Sequence, residues 1–163
     1  MGGLSPLGLF HTAISLVALV CGFVALARDK EISPGNRLGQ TYLVATLITA
    51  LTALGIFRHG GFGPPHVLAL LTLGALAVGA VASFSGFFGR ASRYVRAVCY
   101  SSTFLFHLVP GFTETLTRLP AVAPIAASQD APILQAIDAA LLALFLAGLA
   151  AQMVWLRASL RAR

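Results

Sequence analysis

Apolar residues fill five long stretches of this chain, and polar residues collect in the short breaks between them. A helix that crosses the hydrocarbon core of a bilayer needs about 20 mostly apolar residues. The first stretch, 6–27, reads "PLGLFHTAISLVALVCGFVALA" and the second, 40–57, "QTYLVATLITALTALGIF". The third is "PHVLALLTLGALAVGAVASF" over 65–84, and the fourth is "YVRAVCYSSTFLFHLVPGF" over 94–112, the most polar of the set. The fifth is "ILQAIDAALLALFLAGLAAQMVWL" over 133–156. The breaks carry turn chemistry: "SPGN" at 33–36, "RHGGFGPPH" at 58–66, "SGFFGR" at 85–90 and a long "RLPAVAPIAASQDAP" at 118–132. Pro65 and Pro132 stand where a first helical residue is expected, a position that tolerates a missing N–H. Small residues such as those of "GALAVGA" at 74–80 let membrane helices approach closely. The pattern predicts an all-α integral membrane protein, a single domain over 1–163 forming a bundle of about five transmembrane helices.

Composition agrees and excludes other classes. The 163 residues are 58% hydrophobic and 10% charged, with a mean hydropathy of +0.87. A soluble domain carries roughly a quarter of its residues as charges. The net charge of +6 does not indicate nucleic acid, because the basic residues sit in short clusters flanking apolar runs. Cys21 and Cys99 each lie inside an apolar stretch without C-x-x-C spacing, and are expected as small buried hydrophobes. Ala25-Leu26-Ala27 resembles a signal-peptide cleavage site, but no positive charge precedes this long apolar run, so it is expected to be a retained helix.

Charge also assigns the expected sides. With five spans, nine of the eleven Lys and Arg fall on the side of the C-terminus, and only Arg58 and Arg118 on the other. Positive charge marks the cytoplasmic side, so the N-terminus is expected outside and the C-terminus in the cytoplasm of a bacterial inner membrane. All four histidines then fall at outer ends. His59 and His66 bracket the 58–66 turn, while His11 and His107 lie about five residues inside helices one and four, roughly 7–8 Å deep. Asp138 lies about six residues into the fifth stretch, and Glu114 follows Pro110-Gly111 at the end of the fourth. An intramembrane carboxylate is costly and by default pairs inside the bundle. His11, His107 and Asp138 are expected in one layer, with His66 and Glu114 just above it.

Each group also has a plainer role. Asp138 would bond a neighbouring hydroxyl, His59 would face water, and His66 would start a helix at the headgroup level. Glu114 and Arg118 would form an i,i+4 ion pair, and Asp130 would cap the fifth helix. His11 and His107 are harder to place in this way, because a buried imidazole still needs a partner.

The stretches "GNRLGQTYLVATL" (35–47), "GPPHVLALLTL" (63–73) and "YSSTFLFHLVPGFTETLTRLP" (100–120) resemble a family of predicted bacterial integral membrane proteins classed as a domain of unknown function. The likeness covers about 35–120 and implies a membrane bundle with histidines, without an activity. Arg90 and Arg93 stand where that family has a histidine beside arginine, which weighs against a second ligand on the inner side.

Three functions compete. The first is a zinc or copper site in which His11, His66 and His107 are ligands and Asp138 or Glu114 is the fourth ligand or orients another, serving hydrolysis or metal handling. The second is a b-type haem held by His11 and His107, making an electron carrier. The third is a cofactor-free membrane subunit or transporter component, in which the histidines and Asp138 titrate; a unit this small would need a second copy or a membrane-protein partner. No G-x-G-x-x-G, P-loop, H-E-x-x-H or nucleophile elbow is present, so no soluble-enzyme chemistry is indicated.

Overall fold

A computed structural model describes residues 5–56, 61–118, 126, 128 and 130–161. Five α-helices account for most of them: α1 (Pro6–Asp29), α2 (Arg37–Leu54), α3 (Pro64–Phe84), α4 (Ser92–Arg118) and α5 (Pro132–Arg161), with a 3-10 turn at Gly89–Ala91 before α4. No strand occurs among the described residues. Three of the helices, α1, α3 and α5, are long and apolar enough to cross a membrane. The other two carry more polar residues, such as Arg37 and Gln40 at the start of α2 and Arg93, Arg96 and Glu114 on α4.

Local chemistry sets the helix ends. Ser5 accepts from the Gly8 N–H at 3.1 Å ahead of Pro6, and α1 stops at Lys30, which adopts a left-handed conformation (φ 62°). Asn36 starts α2: its Oδ1 accepts from the Gly39 N–H at 2.8 Å while its amide donates to Asp29. This cap places the start of α2 three residues before the expected 40. The last helix begins at Pro132, so Ala131 rather than Asp130 holds the capping position, its carbonyl accepting from the Leu134 N–H. Expected to end near 112, α4 instead continues through Pro110 to Arg118. Pro110 lacks the N–H that would reach the Phe106 carbonyl four residues earlier, and membrane helices tolerate such a break within the bundle.

The chain divides into two compact units, residues 1–104 and 105–163. In the first unit, α2 packs along both α1 and α3, and the N-terminal part of α4 adds aromatic contacts. Its interior is notably polar. Tyr42 and Thr103 are both fully buried, and their hydroxyl oxygens lie 2.7 Å apart. The Thr103 hydrogen goes to the Tyr100 carbonyl, so the Tyr42 phenol donates to Thr103. By the same logic the Tyr100 phenol donates to Ser83, whose own hydrogen goes to the Gly79 carbonyl. The exterior is apolar, with Val20, Phe23 and Leu70 exposed. A polar interior and an apolar exterior suit a solvent of lipid.

Glycines allow the closest approaches. A Cβ on Gly22 would come within 2.7 Å of the Tyr42 and Phe104 rings, and one on Gly79 would run into the Tyr100 ring. A Cβ on Gly39 would collide with the Ser33 backbone, which fixes how the 30–36 loop folds onto α2. In the second unit, α5 is largely exposed, with Leu134, Gln152 and Leu156 buried.

Three ion pairs lie at the loop end of the first unit. Glu31 receives Arg93 at 2.9 Å and Arg96 at 3.2 Å, and its side chain is only 12% exposed. Asp29 pairs with its neighbour Arg28.

Gly79→Val and Gly22→Val should each destabilise the protein by about 1–3 kcal/mol through overpacking against aromatic rings. Gly74→Val, where a Cβ meets open space, should not. Melting temperatures in detergent test this, and equal melting of all three variants would refute the role given to the two buried glycines. Glu31→Gln should cost roughly 1–3 kcal/mol, because two half-buried guanidiniums lose their shared carboxylate; chemical unfolding would show it.

Candidate functional site

The end of the first unit opposite the ion pairs carries its described imidazoles. His11 lies 18 residues before Asp29 on α1, about 27 Å along the axis. Its Nδ1 lies 3.0 Å from the Thr52 hydroxyl oxygen on α2. That hydroxyl has one hydrogen, which is directed to the carbonyls of Ile48 at 2.9 Å and Thr49 at 3.0 Å. With that hydrogen on a helix carbonyl, Thr52 accepts and His11 Nδ1 carries the proton. The neutral His11 ring consequently has its lone pair on Nε2.

His66 takes the opposite form. It stands on the first turn of α3, is 4% exposed, and stacks on Phe62 with ring centroids 5.2 Å apart. Its Nδ1 lies 3.2 Å from the backbone nitrogen of Gly63, which can only donate. The His66 N–H in turn reaches the Gly63 carbonyl at 2.9 Å. His66 thus closes its own helix start, in the manner of the side chain that reaches back in a capping box. Neutral His66 must then carry its proton on Nε2. Coordinating a metal through Nε2 would move that proton to Nδ1 and break the cap. The two imidazoles therefore differ: His11 presents a lone pair at Nε2, and His66 an N–H donor.

The remaining expected ligands belong to the second unit. His107 is 7% exposed on α4, Glu114 is exposed on the same helix, and Asp138 is half-buried on α5. Asp138 Oδ1 is buried and has no hydrogen-bond partner among the described residues, so the neighbouring hydroxyl expected for it is not found. His59 and Arg58 lie outside the described residues, as does the side chain of Arg118. Among the described residues no three His, Cys, Asp or Glu side chains form a group able to hold a metal ion. Cys21 and Cys99 are half-buried free thiols.

Two residues that matter were missed in the sequence. Thr52 sits on a threonine row at three-residue spacing, Thr46, Thr49 and Thr52, which marks one helix face. Glu31, with Asp29, is one of two carboxylates set among Arg28, Lys30 and Arg37, a signal available in the sequence.

Nitrogen-15 spectra of histidine-labelled protein in detergent should show His11 protonated on Nδ1 and His66 on Nε2. Thr52→Val should return His11 to a mixture of tautomers and leave His66 unchanged. The same tautomer at both positions would contradict the hydrogen-bond directions above. No protein-family model, curated protein or solved structure matches this chain.

Proposed function

We propose that the chain is an integral membrane protein of five spans, with the N-terminus outside a bacterial inner membrane, that binds a transition-metal centre at its histidine end. His11 Nε2 is the ligand supplied by the first unit. Support for the five spans comes from α2, which packs along both α1 and α3 and links the end of one to the start of the other. The orientation rests on the nine Lys and Arg that fall on one side. The resemblance to bacterial membrane proteins of unknown function agrees with this setting and adds no activity.

The observation that carries the metal reading is the Thr52 hydrogen bond. Metal-bound histidines almost always donate their other ring N–H to a fixed acceptor, which sets tautomer and ring orientation; His11 has that arrangement. Of the two forms of metal centre, haem iron asks less of the protein. A porphyrin supplies four nitrogens and needs one or two imidazoles, whereas a bare zinc or copper ion needs three or four protein donors.

A cofactor-free reading is favoured by one specific observation, the opposite tautomers of His11 and His66. A ring lone pair and a ring N–H at one membrane face suit proton transfer, because an imidazole takes up and releases a proton near physiological pH.

Elemental analysis and the visible spectrum of tag-free protein in detergent decide between these readings. Near-stoichiometric iron with haem bands, or near-stoichiometric zinc or copper, is expected for the wild type. His11→Ala should lose the metal, Thr52→Val should bind it about 10–100-fold more weakly, and His59→Ala should retain it. A folded His11→Ala protein with full metal content would overturn the assignment.

A further inference from the structure

The opposite end of the first unit bears a concentration of positive charge that the fold does not cancel. Arg28, Lys30, Arg37, Arg90, Arg93 and Arg96 gather at the ends of α1, α2 and α4, against only two carboxylates, Asp29 and Glu31. Both carboxylates are already engaged: Asp29 holds Arg28 and Asn36, and Glu31 holds Arg93 and Arg96 together. One glutamate between two arginines leaves an excess positive charge in a half-buried place. Arg96 also keeps a buried Nε–H with no acceptor among the described residues, so its charge is not fully answered within the unit. Arg37 and Arg90 are exposed and make no ion pair among the described residues.

Beside this cluster stand Phe84 and Phe87, 79% and 80% exposed, the two most exposed large hydrophobic side chains described. They lie on the Phe84–Arg90 segment that leads into α4. Guanidinium groups match the geometry of phosphate oxygens, and basic clusters at helix ends attract anionic headgroups. Aromatic rings at the same level suit the glycerol and upper acyl region of a lipid. A soluble phosphate would account for the arginines but not for the phenylalanines.

We propose that this end of the first unit is a binding site for an anionic phospholipid, with its phosphate at the exposed Arg37 and Arg90 side and its upper acyl chain against Phe84 and Phe87. The site is separate from the histidine end, and it does not depend on any metal there.

Native mass spectrometry of the full chain released from detergent, with phosphatidylglycerol or phosphatidylcholine of the same acyl length, tests this. The wild type should retain phosphatidylglycerol at about tenfold lower lipid concentration than phosphatidylcholine. Arg37→Gln/Arg90→Gln, which touches no ion pair, should remove most of that preference. Arg157→Gln/Arg161→Gln, which removes the same charge from α5, should leave it intact. Phe87→Ser should weaken retention of both lipids. Equal retention of the two lipids by the wild type would overturn the proposal, as would an equal loss in the α5 variant. Complete displacement of phosphatidylglycerol by millimolar inorganic phosphate would also overturn it, by assigning the site to a soluble anion.

Discussion

The constraint on which this protein depends is that lipid gives little reward for burying one apolar side chain against another. In water, burial of apolar surface supplies the main favourable term of folding; between helices in a bilayer that term is largely absent. What remains is close van der Waals contact and hydrogen bonding. The first unit uses both. Gly22 and Gly79 bring aromatic rings directly onto helix backbone, and the phenols of Tyr42 and Tyr100 reach across to hydroxyls on other helices. The rings fill space that a methyl group would block, and the phenol hydrogens find acceptors that lipid cannot offer. Threonine hydroxyls elsewhere turn back onto carbonyls of their own helix, as Thr49 and Thr72 do, so polar groups enter the interior without being stranded.

The same constraint sorts chemistry to the helix ends. Charges and imidazoles are expensive in the middle of a membrane and cheaper where water and headgroups begin. One end of the first unit collects arginines around Glu31, and the other holds His11 and His66. At the histidine end, hydrogen bonds give the two rings different characters. A hydroxyl whose own hydrogen is already committed must accept from His11, and a backbone N–H must donate to His66. Two residues of one type thereby hold their ring proton on opposite nitrogens, one set by a threonine and the other by a helix terminus.

Much of the architecture could be read from the residues. Five helices follow from five apolar stretches, because a chain in lipid must satisfy its backbone within each segment and a helix does this locally. The errors fall where a single side chain sets a boundary. Asn36 draws α2 back to residue 37, and α4 passes through Pro110, a residue that reads as a terminator in water. The small-residue pattern pointed to close helix contacts, but it did not distinguish Gly79, which faces the Tyr100 ring, from Gly74, which faces open space.

The sequence by itself determined the helical class, the length and apolar character of the segments, and the gathering of basic residues near helix ends. These depend on composition and on neighbours within a few positions. Only the tertiary structure decided which polar groups meet. His11 finds Thr52 across 41 positions and Glu31 finds Arg93 across 62, and neither pairing has a local signature. The tautomers of His11 and His66 follow from such partners, because a ring nitrogen donates or accepts according to the group opposite it. The sequence could therefore supply the imidazoles, and only the packed helices could say which of them offers a lone pair and which a proton.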